Sequence, residues 1–132
     1  MPAVLVVDDE IEVGEAIRRV LERAGFVVST ANSVAEGLQL AAQSQPDIVV
    51  TDMIMPKVNG IELIKALRSQ FPRVRIIAIS GGGSLGLLSY KPDAIKTHAY
   101  LAAAREAGAE EILTKPFDMA DLLAAIRRQL PN

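Results

Sequence analysis

Cysteine and tryptophan are both absent from these 132 residues, and three Phe and two Tyr supply all the aromatic rings. Without cysteine there can be no disulfide, no thiolate metal site and no thiol nucleophile. The absence of disulfides fits a cytoplasmic location. Long apolar runs are also missing. Ala3 to Val7 is too short for a signal-peptide core and leads into acids rather than a cleavage site, and no segment approaches the length of a membrane span. Nor is there an excess of positive charge: 14 basic residues stand against 16 acidic ones, for a net charge of −2. Nucleic-acid binding needs a clustered basic face, so the expected partners include neither nucleic acid nor membrane. The length suits one domain that buries most of its apolar surface in a single core.

What is present is an alternation of short β-branched runs with helical stripes. Ala3 to Val7 reads as a fully buried strand ending at Asp8 and Asp9. Apolar residues from Ile11 to Ala24 then recur at helical spacing, with Gly25 as the stop. Phe26 to Thr30 is a strand, and Asn32 or Ser33 caps a second helix carrying Val34, Leu38, Ala41 and Ala42. Asp47 to Thr51 is a third strand. Beyond it, Ile61, Ile64, Leu67 and Phe71 form a helical stripe that stops at Pro72. Val74 to Ile79 is a fourth strand, Ala94 to Ala107 a helix closed by Gly108, and Glu111 to Thr114 a fifth strand. Asp118 caps the last helix, with Met119, Leu122, Leu123, Ile126 and Leu130 on one face. Five β-α units imply a parallel sheet with right-handed crossovers and helices on both faces.

The stretch Asp47 to Gly60, D-I-V-V-T-D-M-I-M-P-K-V-N-G, places a carboxylate where a buried strand emerges into a loop. Pro56 and Gly60 forbid a simple continuation. Parallel strands bring their carboxyl ends to one edge, where open α/β sheets bind ligands. That edge would hold Asp8 and Asp9 after strand one, Asp52 after strand three, Ser80 after strand four and Lys115 after strand five. With strand order 2-1-3-4-5, strands one and three are neighbours and three carboxylates converge. Two such charges ~4 Å apart repel by roughly 4 kcal/mol at an effective dielectric of 20. Such a cluster calls for a cation, and oxygen ligands with no His or Cys nearby favour Mg²⁺. Lys115 and Ser80 add a positive charge and a hydroxyl, completing a site for a tetrahedral oxyanion such as phosphoryl. A carboxylate can itself be the nucleophile, giving an aspartyl phosphate. Taken singly, each residue also has a structural use: capping for the Asp residues, a salt bridge for Lys115 and a strand-end hydrogen bond for Ser80.

With V-L-V-V-D-D-E, I-V-V-T-D-M-I-M-P-K-V-N-G, I-I-A-I-S and I-L-T-K-P-F-D in this order, the chain resembles the receiver domain of two-component response regulators over nearly its whole length. The resemblance implies a flavodoxin-like (βα)5 fold of the chemotaxis-regulator kind, one receiver over residues 1–132 and no output domain in this chain. It makes Asp52 the phosphoacceptor, gives Mg²⁺ to Asp8, Asp9 and Asp52, sets Lys115 against the phosphoryl group and makes Ser80 the switch hydroxyl. The Lys115–Pro116 peptide is often cis in that family. The implied donor is a histidine kinase or histidine phosphotransfer protein, and the output is a surface presented to a downstream protein target, with a homodimer left open. The implied role is that of a phosphoacceptor with its own self-phosphorylation and dephosphorylation chemistry, not of an enzyme.

Two features depart from the family pattern. Ile112 stands three positions before Lys115, where an aromatic ring usually moves with the switch hydroxyl. Residues 81–92, G-G-G-S-L-G-L-L-S-Y-K-P, form a long connection in which Gly81 to Gly83 read as a hinge and Leu85 to Tyr90 as an adhesive segment, against the plainer reading of a long linker. Gly81, Gly83 and Gly86 spell G-x-G-x-x-G, but the helix that a dinucleotide fingerprint must open is spoiled by Pro92. His98 reads as a solvated residue, and Met53 and Met55 as packing residues. The alternative functions are a dehalogenase-like, Mg²⁺-dependent phosphatase and a degenerate receiver that only binds protein. The first wants D-x-D after strand one, where this chain has Asp8-Asp9-Glu10. The second does not explain the intact acid set.

Overall fold

A computed structural model describes residues 2–53, 60–80, 102–114 and 117–130. The elements are β1 (Ala3–Val7), α1 (Ile11–Arg23), β2 (Val27–Ala31), α2 (Val34–Ser44), β3 (Ile48–Asp52), α3 (Gly60–Gln70), β4 (Arg75–Ser80), helical backbone over residues 102–107 (α4), β5 (Glu111–Thr114) and α5 (Met119–Gln129). The five strands are parallel in the order β2-β1-β3-β4-β5. This is the flavodoxin-like doubly wound sheet that the sequence pattern predicts, with its switch point between β1 and β3.

Strand alternation sends side chains to two cores. On one face Leu5, Val7, Val49, Ile76 and Ala78 pack with Ala41, Leu63, Leu67 and Ala104 from α2, α3 and α4. On the other, Val4, Val6, Ile48, Val50 and Ile77 pack with Ile17 and Leu21 of α1 and with Leu122 and Ile126 of α5. β1 and β3 are buried on both faces, so their apolar runs are unbroken.

Three strands begin one residue later than the sequence pattern suggests, each for a backbone reason. Phe26 donates its N–H to Leu21 O and Gly25 donates to Glu22 O, a Schellman closure of α1 with Gly25 at φ 99°. Phe26 therefore belongs to the helix stop, although its ring is buried. Val74 likewise donates to Phe71 O and is still in the turn. Asp47 serves as a staple before β3: its N–H donates to Ala3 O, and its Oδ2 accepts from Ala3 N at 2.8 Å. Gly108 closes α4 in the same way as Gly25 closes α1, with φ 129° and Ala109 N–H donating to Ala104 O. Of the expected cap candidates for α2, Ser33 takes the role, its Oγ accepting from Glu36 N. The glycine-rich 81–92 stretch, His98, Met55, most of the expected helix before residue 102 and the Lys115–Pro116 peptide lie outside the described residues.

The amino edge of the sheet is held by one guanidinium. Arg68 donates to Pro72 O, Val74 O, Gly108 O and both oxygens of Glu110, while Glu110 Oε1 accepts from Ile76 N at 2.7 Å. Both side chains are mostly buried, so the pair is exchanged against little water. Arg68→Ala is expected to destabilise the fold by about 2 kcal/mol, as for loss of charge-assisted hydrogen bonds, a drop measurable by urea unfolding.

A second link joins β5 to α5. The Arg128 guanidinium beside Glu111 holds its carboxyl below the usual carboxylate range, with Gln129 Nε2 adding a hydrogen bond at 2.7 Å. A lowered folded pKa means that this stabilisation is full above the unfolded carboxyl pKa and is lost as pH falls through the folded one. Glu111→Gln should lower stability at neutral pH, leave strongly acid pH little changed, and so flatten that part of the acid limb of a stability-versus-pH curve.

Candidate functional site at the carboxyl edge

The site begins with register. Val7 pairs with Thr51, so the next residues, Asp8 and Asp52, stand side by side at the ends of adjacent strands, whose backbones run roughly 4.8 Å apart. Alternation puts both on the α1–α5 face, continuing Val4 and Val6 on β1 and Ile48 and Val50 on β3. Each is only 4% exposed. Asp52 is thus the last strand residue, paired with Ile79, and lies deeper than the loop position that its sequence suggests.

Local hydrogen bonds fix these carboxylates. Asp8 N–H donates to Ala31 O of β2, and Asp8 Oδ1 accepts from Glu10 N at 2.9 Å, a turn that leads into α1. Asp9 is half-buried beside them. None of the three acids is without a partner. Around Asp52 the neighbours are Thr51, fully buried, whose hydroxyl donates to Asp52 O at 3.0 Å, and Met53, whose N–H donates to Ile79 O at 2.8 Å. Met53 is buried in the core, as its packing role requires.

Ser80 ends β4 in register with Thr114, the residue before Lys115. The Ser80 side chain and Lys115 lie outside what is described. Ile112 sits opposite Ala78 and packs, partly buried, against the α2–α3 core. Sequence reasoning misses Thr51 and the close approach of Gly60 to β3. By composition alone, Thr51 is an ordinary strand residue and Gly60 only a breaker.

A hollow of about 170 Å³ opens beside Asp8, lined also by Ile11, Gly14, Thr30, Ala31, Asn32 and Glu36. Ile11 on its rim is 64% exposed, unusual for a large apolar side chain. A larger cleft of about 660 Å³, with Pro46, Phe71, Val74 and Leu130 in its walls, opens at the opposite, amino edge. Among the described residues that line it, Asp47 is the one acid, so size is a poor guide to the chemistry. Among the described residues no three acidic or imidazole groups make a metal cage by themselves. Two buried carboxylates side by side nevertheless fit a hard divalent cation that keeps part of its water.

Comparison with known proteins agrees with this geometry. The family model of the response regulator receiver domain matches residues 4–127. The transcriptional regulatory protein PrrA of Mycobacterium tuberculosis is 36% identical over 129 residues, covering 98% of this chain and 50% of that protein. The chain spans about half the length of the curated relatives it matches. Because such relatives are named as transcriptional regulators, they lend no support to the expectation that nucleic acid is not a partner. A receiver domain protein from Clostridium thermocellum superposes with TM-score 0.77 at 33% identity, covering 98% of this chain and 94% of that one. A Burkholderia pseudomallei response regulator solved with a phosphorylated aspartic acid, calcium ion and citrate gives TM-score 0.78 at 27% identity, covering 95% and 66%. Fold, strand-end acids and family match coincide, and the chain belongs to the response regulator receiver domain family.

Proposed function

We propose that this chain is a phosphoacceptor in two-component signalling, taking a phosphoryl group onto Asp52 from a phosphohistidine on a histidine kinase or phosphotransfer protein. The observation that carries the reading is the pairing of Asp52 with Asp8, both withdrawn from water at neighbouring strand ends of the switch point. Two like charges set side by side are costly to hold, and a site for a cation and a phosphoryl group gives that cost a use. The phosphorylated aspartate in the Burkholderia relative adds weight.

In the step itself, one Asp52 oxygen attacks phosphorus and the P–N bond to the donor imidazole breaks. The imidazole leaves with its electron pair and takes a proton from water. With acetyl phosphate as donor, a P–O bond breaks and acetate leaves. The product is an acyl phosphate on Asp52. Mg²⁺, held by Asp8, Asp9 and Asp52, would offset the crowding of negative charge as phosphoryl arrives. The Glu10 turn holds the Asp8 carboxylate in a fixed orientation at the site. Lys115 and Ser80 would take phosphoryl oxygens, and the surface beyond β4 would report the change to a protein partner. Residues 1–132 act in this reading as one receiver unit, in the cytoplasm, where its kinase donors present their phosphohistidines. Among the described residues no helix is long and apolar enough to cross a membrane.

Intact-mass measurement after incubation with acetyl phosphate and Mg²⁺ should show one added phosphoryl group on the wild type and none on Asp52→Asn. Asn is the apt replacement because the position is buried and calls for the same volume. Without Mg²⁺ the variant should be at least as stable as the wild type, having lost one crowded charge. A normal adduct on Asp52→Asn rules out the assignment.

Mg²⁺ titration followed by calorimetry gives a second check. Asp9→Ala should weaken binding, and Asp8→Asn combined with Asp9→Ala should abolish it. Affinity unchanged in the double variant would exclude these residues as ligands.

A further inference from the structure

The peptide that follows the phosphoacceptor is held by three contacts. On the β4 side, Met53 N–H donates to Ile79 O at 2.8 Å. From β3 itself, the Thr51 hydroxyl donates to Asp52 O at 3.0 Å. The third contact is with α3, which begins directly against it. A β-carbon at Gly60 would lie 2.7 Å from Asp52 O, 2.7 Å from Met53 Cα and 3.2 Å from Met53 O.

These distances are too short for any side chain, and the atoms in the way are backbone. Other glycines differ in kind. At Gly37 the obstacle is a Val7 methyl at 3.2 Å, and at Gly14 a Thr30 methyl at 3.9 Å. A methyl group can turn aside, whereas the Asp52–Met53 peptide can move only by breaking its bond to β4 or by carrying Asp52 with it. Reaching an ordinary contact of 3.4 Å from 2.7 Å takes a shift of about 0.7 Å.

We infer that Gly60 and Thr51 are positioning residues for phosphoryl uptake, acting on the Asp52 carboxylate through its own peptide group. Neither touches the phosphoryl group. The hydrogen at Gly60 lets α3 start hard against the peptide, and the Thr51 hydroxyl holds the same Asp52 carbonyl by a hydrogen bond. The inference rests on the phosphoacceptor reading of Asp52. In-line attack tolerates little displacement, and an error of about 1 Å can cost on the order of a hundredfold.

The test follows phosphoryl uptake from acetyl phosphate at saturating Mg²⁺, recording rate constant and final yield separately, in wild type, Gly60→Ala, Thr51→Val and Gly37→Ala. Unfolding curves set an assay temperature at which each variant is folded. Gly60→Ala and Thr51→Val are expected to react roughly tenfold or more slowly at full final yield, with the donor KM nearly unmoved and the aspartyl phosphate lifetime altered. A merely structural defect would lower the yield and leave the rate of the folded fraction unchanged. Gly37→Ala should keep the wild-type rate. If Gly60→Ala does not fold, Thr51→Val decides, because it preserves volume. Wild-type rates in the folded variants, or equal slowing in Gly37→Ala, overturn the inference while the phosphoacceptor reading stands. A wild-type protein that takes up no phosphoryl group overturns both.

Discussion

The register of β1 and β3, which brings Asp8 and Asp52 abreast with each carboxylate only 4% exposed, sets the terms for the whole domain. Burying one such group is costly and burying two together is more so. The surrounding architecture is what makes the arrangement bearable. β1 and β3 are central strands with apolar side chains on both faces, so a large core holds their ends in place. Asp8 is tied into the turn that opens α1, and the peptide after Asp52 is tied to β4. Carboxylates crowded in this way suit a cation, and a group that binds through one.

Stability and chemistry are divided between the two edges of the sheet. At the amino edge, Arg68 gathers the end of α3, the turn before β4 and the end of α4 around Glu110, while Asp47 fastens β3 to β1. These links satisfy one another's hydrogen-bonding groups. At the carboxyl edge Asp8 lines a small hollow rimmed by the exposed Ile11. A fold anchored at one edge can carry crowded like charges at the other, because the destabilisation there is met by packing and ion pairs elsewhere.

Much of this architecture is legible in the chain itself. Unbroken runs such as A-V-L-V-V and I-V-V-T signal strands buried on both faces, and Gly25 and Gly108 mark the stops of helices that do end there. Alternation of strands and helices implies a parallel sheet, and the strand-end acids follow from it. Strand starts are less legible. Phe26, Asp47 and Val74 have strand-like neighbours, but their N–H groups are spent on a helix stop, a staple and a turn. Hydrogen-bond partners of that kind carry no compositional signal.

The parallel doubly wound fold and the residue types at the carboxyl edge were therefore written into the sequence, because periodicity and strand-end chemistry are local properties of the chain. Tertiary packing alone settled how deeply Asp52 is buried, that the Thr51 hydroxyl turns back onto the Asp52 carbonyl, and that Gly60 leaves no space for a β-carbon against the Asp52–Met53 peptide. Those facts depend on where α3 and β4 come to rest against β3. Their positions are set by contacts between residues distant in sequence, so no local pattern encodes them.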